Sequence, residues 1–285
     1  MKDLRKILYI LAGQLKASAV SIRVWLGYAI GITVALKNAY AYCGYADERV
    51  FQIFEPYMES FINTGDVFIL LIGYILIISD APFINRRSTL MLYRCSRGQW
   101  FWGMGLYMII HCILYYVISG AACMLYCIRQ GYVDDLWSRP MRNLALYPSL
   151  EAAEGWRLPL PPENLITDFT PTGAMIHTLL LFAFYSLILG FILFIFNTLW
   201  NQAVGAALTA SIHIVGYILA FGGFGGFLPR WSLLNNSMFM AVVAGVSSLP
   251  NAYLLLLLVL CLILFSGPFL MKRADFVHTT GESNE

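Results

Sequence analysis

The sequence predicts an all-α membrane protein: six transmembrane helices, an N-terminal amphipathic surface helix, and a broken, re-entrant outer segment before the last span. Three observations predict it. Of 285 residues, 59% are hydrophobic and 12% charged, against roughly 45–50% and about 25% in soluble domains; mean hydropathy is +0.70. The apolar residues fall in runs near the roughly 20 needed to cross a bilayer. Lysine and arginine are unevenly placed, which sets an orientation. The net charge of +2 is too small to point to nucleic acid.

The start of the chain, "MKDLRKILYILAGQLKASAV", predicts a helix on the membrane surface over 1–22. Leu4, Leu8, Leu11 and Leu15 recur at helical spacing and form one apolar stripe. Lys2, Arg5, Lys6 and Lys16 are free to reach headgroups. A secretory signal is the weaker reading, because Gln14 and Lys16 interrupt the apolar core.

Six spans follow, over 24–41, 61–79, 101–128, 173–198, 203–224 and 252–271. With both termini inside, segments 1–23, 81–99 and 272–285 hold eleven of the eighteen Lys and Arg residues. The longer outer segments 42–60, 129–172 and 225–251 hold six. Loop 81–99 and tail 272–285 are therefore predicted to be cytoplasmic, in the cell membrane. The outer loop 129–172 carries six prolines, six acids and two tryptophans, and a loop so long tends to be functional or disordered. In 225–251 the apolar piece 238–246 is too short to span and reads as re-entrant or interfacial.

Polar residues inside the spans are the informative ones. Lys37 lies fourteen residues after Arg23, and Asp66 fourteen before Asp80. Both are therefore about 21 Å from the inner edge, on antiparallel neighbours. An intramembrane Lys37–Asp66 ion pair is expected; separate snorkelling to the outer interface is the alternative, and a proton or substrate role a third. His111, His177 and His213 sit on three different spans and read as packing residues. Gly27 and Gly31 make a GxxxG, which permits close helix contact. The six cysteines contain no CxxC and read as small packing residues. Cys123 and Cys127 share a helical face, and a disulfide involving Cys43 is the alternative. No metal site is expected.

The stretch "DAPFINRRSTLMLYRCSRGQW" (80–100) carries four arginines between two apolar spans. Read as a short helix, it puts Arg86, Leu90, Tyr93 and Arg97 on one face and Arg87, Met91 and Arg94 on the next. Ser88 and Thr89 stand near its start and Gly98 at its end. Ordinary anchoring explains the arginines, but not the apolar face of Leu90, Met91 and Tyr93, which a docked partner would use.

This arrangement resembles the permease subunits of bacterial type-2 ABC exporters. The resemblance rests on the surface helix, six spans, the "DAPF…LMLYRCSRGQW" loop, the short turn "NTLWNQA", the broken outer segment and the ending "FLMKRADF". It implies one permease domain over 1–285 and a pore built from two such subunits, identical or related. It also implies a separate cytosolic ATPase that holds ATP and Mg, a coupling helix over 86–97, and spans two and five lining the path. The chain has no P-loop of its own, so no cofactor is expected on it and it is not expected to be an enzyme. An apolar path favours a peptide antibiotic, lipid or drug. A secondary transporter working through Lys37 and Asp66 is the alternative. A membrane enzyme is disfavoured by the absence of HExxH and GxSxG; a non-transporting anchor leaves the arginine helix without a purpose.

Overall fold

The chain begins with α1 (Lys2–Ser18), which turns by 78° into α2 (Ile22–Ala46). The computed structural model describes residues 2–82, 95–147, 154–221 and 227–272. α1 buries Ile10, Gln14 and Ser18 and packs on α5 (Arg97–Cys127). Of the predicted leucine stripe, Leu4 and Leu8 stay exposed, where lipid can cover them, whereas Leu11 and Leu15 are half-buried and pack against the core.

A two-residue strand β1 (Phe51–Gln52) and the short α3 (Glu55–Glu59) lead into α4 (Thr64–Ile78). Asn63 caps α4 by accepting from the Gly65 N–H. The cap starts the helix later than predicted: residues 61–62 belong to the preceding turn. α5 starts earlier than predicted, because Ser96 and Gln99 form a capping box. The expected helix end at Gly98 is thus corrected; Gly98 lies in the first turn of α5.

After α5 come β2 (Gly131–Tyr132), α6 (Arg139–Leu146), α7 (Glu163–Asp168), α8 (Pro171–Leu199) and α9 (Gln202–Phe221). Three single-turn helices follow, α10 (Phe227–Trp231), α11 (Leu233–Ser237) and α12 (Phe239–Val243). α13 (Leu249–Met271) closes the described chain.

Among the described residues, α5, α8, α9 and α13 are each long and apolar enough to cross a membrane, and the bent α1–α2 pair taken together makes a fifth. The protein is an all-α membrane protein with several spanning helices. α4 has 15 residues, about 22 Å at ~1.5 Å per residue, short of a hydrocarbon core of about 30 Å.

α2 packs on both α4 and α5, and α8 packs on α5, α9 and α13. Buried tyrosines stitch these helices together. Tyr115 donates to the Leu70 carbonyl at 2.7 Å, Tyr57 to the Tyr116 carbonyl at 3.0 Å, and Tyr116 pairs with Ser186 at 2.6 Å. With no water in the hydrocarbon, each buried hydroxyl needs such a partner.

The connections gather at two ends. At one, which we term the cap end, β1 pairs in parallel with β2, Phe51 opposite Gly131. The Trp137 indole donates to the Phe169 carbonyl at 2.7 Å, and Phe169 packs edge-on against Phe239. Trp156 lies against Gly44 and Tyr40. The described parts of loop 129–172 are therefore an ordered lid over the helix ends. At the opposite, loop end, residues 79–82, 95–97 and 272 meet the starts of α1 and α2 and the end of α8. All segments predicted to be outer meet at the cap end, and those predicted to be inner that are described meet at the loop end.

Candidate functional site

Two polar clusters and one apolar recess carry the chemistry. The first cluster lies toward the cap end. Lys37 Nζ sits 2.6 and 2.8 Å from the two carboxylate oxygens of Asp66. Asn38, the next residue on α2, donates to Asp66 at 3.0 Å and to Ser60 at 3.2 Å. Asp66 is buried, while half of the Lys37 side chain is exposed. The structure thus brings the two sequence-predicted residues together, with the carboxylate as the enclosed partner.

One turn further along α2, Tyr42 donates to Glu55 at 2.8 Å. Ser138 reaches the same carboxylate from the lid, through its N–H at 2.8 Å and its hydroxyl at 2.5 Å. Ser138 also caps α6. Burial pushes Glu55 up to about 7, opposed by those donors.

Glu59 lies one turn beyond Glu55 on α3. Both its oxygens are buried and have no hydrogen-bond partner among the described residues. Burial, then repulsion from Glu55 and Asp66, pushes its carboxyl well above the ordinary range. A carboxyl so placed holds its proton to higher pH than a free one does. The folded protein therefore keeps a proton that the unfolded chain releases above about pH 4.3. Stability falls as pH rises through that window. Glu59→Gln removes its share of that fall and leaves the share of Glu55, so the difference in unfolding temperature between variant and wild type should widen as pH rises from about 4.3 toward neutral. Thermal unfolding in detergent across that range checks it; a gap that stays constant with pH would show that Glu59 does not titrate there.

The second cluster holds the two ends of the arginine loop. Asp80 pairs with Arg23 and accepts from Ser21 at 3.2 Å. Asn197, at the end of α8, donates to the Ser79 and Ala81 carbonyls at 3.1 and 2.9 Å. Arg86, Arg87, Leu90, Met91, Tyr93 and Arg94 lie outside the described residues. Arg97 does not share a short helix with them. It is the first residue of α5, and its guanidinium donates to the Met271 and Lys272 carbonyls at 3.0 and 2.9 Å. There it satisfies carbonyls that the end of α13 leaves unbonded.

The recess lies between α8, α9 and the short helices before α13. It is open, apolar and about 350 Å³, with Tyr185, Val215, Gly216, Leu219, Trp231 and Leu234 among its walls. Behind it Phe68 of α4 stacks on His213 of α9 at 4.8 Å and meets Tyr217 at a tilt, 4.7 Å between ring centres. His213 bonds the Phe68 carbonyl at 3.2 Å and Tyr185 at 3.4 Å. His111 bonds Tyr28 at 2.8 Å and Ser18 at 3.2 Å, and His177 bonds Tyr253 at 2.8 Å. All three histidines thus join helices. Among the described residues no group of three His, Cys, Asp or Glu side chains could hold a metal ion.

Sequence reasoning missed Glu55, Glu59 and Ser138. Two acids at i, i+4 between apolar segments were the available signal. Compared with family models, with curated proteins and with solved structures, the chain has no match in any of the three.

Proposed function

We propose that this chain is the transmembrane subunit of an ATP-driven exporter of the type-2 ABC class. It crosses the cell membrane six times with both termini in the cytoplasm. It moves a hydrophobic or amphipathic substrate, such as a peptide antibiotic, lipid or drug. ATP and Mg belong to a separate ATPase, whose hydrolysis supplies the motion. A second permease subunit completes the pore, and lipid covers the rest.

The observation that carries this reading is the anchoring of the basic loop. Its two ends are held by side-chain bonds to α2, α8 and α13 at once. A push on residues 83–94 would therefore reach three helices together, as a coupling element requires. The contact of α4 with α9 through Phe68 and His213 supports a path lined by those two helices. Ile69, Ile72, Ile214 and Val215 are exposed on them and offer the second subunit its surface.

The test is a pull-down of the detergent-extracted protein from its host, comparing wild type with Arg87→Glu/Arg94→Glu. A P-loop ATPase should come down with wild type and be lost with the double variant. Folded wild type that brings down no ATPase would remove the exporter reading.

A second reading, a carrier coupled to protons, is favoured by the donor-free Glu59 near Asp66 and Lys37. Vesicles holding this chain alone would then dissipate a pH gradient, and Asp66→Asn vesicles would not. An equal leak in both would exclude it.

A further inference from the structure

Three of the six cysteines gather beneath the lid. Cys43, at the end of α2, and Cys127, the last residue of α5, place their sulfurs 3.7 Å apart. Cys127 also meets Cys123, one turn earlier on α5. Cys123 and Cys127 are buried, whereas Cys43 is partly exposed. The β1–β2 pair lies just above, and Gly131 packs on the Cys127 carbonyl.

We propose that Cys43 and Cys127 are a redox pair that closes to a disulfide and locks α2 to α5 under the lid. A disulfide bond is about 2.0 Å long, so the sulfurs must approach by roughly 1.7 Å, a distance that side-chain rotation covers. The residues are 84 apart in sequence, so the bond closes a long loop, the case in which a crosslink restricts the unfolded chain most. No metal role competes among the described residues, because three ligands do not converge.

The oxidant is a disulfide donor, either a small-molecule disulfide or an oxidised dithiol protein. The Cys43 thiolate, on the accessible side, attacks the donor; a mixed disulfide forms and one donor thiolate leaves. The Cys127 thiolate then attacks the Cys43 sulfur, the Cys43–Cys127 bond forms and the second donor thiolate leaves. The two cysteine protons end on the two donor thiols. The cysteines lose two electrons and the donor gains two. The extracytoplasmic side of a cell membrane supplies such donors, so the pair would be oxidised in place if the cap end faces outward. The geometry itself does not depend on the transport reading.

The experiment uses the full-length chain in detergent. The protein is oxidised with glutathione disulfide, denatured, and tagged with a mass-labelled maleimide; peptides are then mapped. Wild type should lose two reactive thiols, give a Cys43–Cys127 crosslinked peptide and unfold at a higher temperature. Reduction with dithiothreitol should reverse all three. Cys123→Ser should behave as wild type, and Cys43→Ser should give no crosslink. Three outcomes would each overturn the proposal: all six thiols still tagged after folded wild type has been oxidised and then denatured, glutathione retained on Cys43 with no internal crosslink, or a Cys123–Cys127 crosslink in its place. The peptide map of wild type decides the matter even if a variant fails to fold.

Discussion

Gly27→Leu is expected to cost about 3 kcal/mol, the upper part of the usual range for overpacking. A Cβ at Gly27 would lie 2.5 Å from the Gly73 carbonyl oxygen and 2.5 Å from an Ile77 carbon. The first is backbone in the middle of α4 and cannot turn aside. Gly31, one turn on, faces Tyr115, whose ring would lie within 2.6 to 2.9 Å of an added Cβ. Tyr115 is fully buried and tied to the Leu70 carbonyl, so it has nowhere to swing. The two glycines set how closely α2, α4 and α5 approach. Gly98→Ala is the control: nothing lies within 4 Å of its added Cβ, and alanine is the better helix former by about 0.5–1 kcal/mol. SDS-titrated unfolding of the three proteins should give a large loss at Gly27, and no change or a small gain at Gly98. Equal effects at both positions would mean that the contact sets nothing.

Lys37→Ala should cost about 2–3 kcal/mol, and Asp66→Ala clearly less. The asymmetry comes from exposure. The Asp66 side chain is 7% exposed and that of Lys37 is 54%. Without Lys37, a buried carboxylate keeps, among the described residues, only Asn38 as a side-chain donor, and an underpaired buried charge is costly. Without Asp66, the lysine can extend its stem and place its ammonium among headgroups. The cost falls short of that for a fully enclosed pair because half of the lysine is already open to its surroundings. A double-mutant cycle should return a coupling of about 1–2 kcal/mol. Additive single effects would mean that the contact contributes nothing, and the reverse asymmetry would mean that the lysine is the enclosed partner.

The Lys37–Asp66 contact was legible because helix rise converts residue number into depth, and consecutive antiparallel helices are neighbours. Nothing more was needed than two charges at matched depth. The Glu55 site was not legible in that way. Ser138 reaches Glu55 across 83 residues, and only the folded lid brings it there; no periodicity records such a meeting. Arg97 was misread for a different reason. Gly98 has the chemistry of a helix stop, but it lies inside the Ser96-to-Gln99 capping box, a helix-start signal, and the start prevails. The α1 helix and its leucine stripe were legible from spacing alone. Its buried side was not: Ile10, Gln14 and Ser18 mix one apolar residue with two polar ones, and Ser18 is buried against His111.

The pairing of Phe51 with Gly131 has a consequence for how the chain is made. The strands are two residues each, yet all of α4 and α5 lies between them. During synthesis β1 emerges first and has nothing to pair with. Its partner arrives only after α4 and α5 have both been made and the chain has returned to the same end of the bundle. The bridge, and Ser138 on Glu55 just beyond it, thus form only on a chain whose α4–α5 hairpin is already in place. A nascent chain with α4 out of place would leave Glu55 without its serine donors and β1 without a partner. Two residues of strand thus report on the placement of two whole helices.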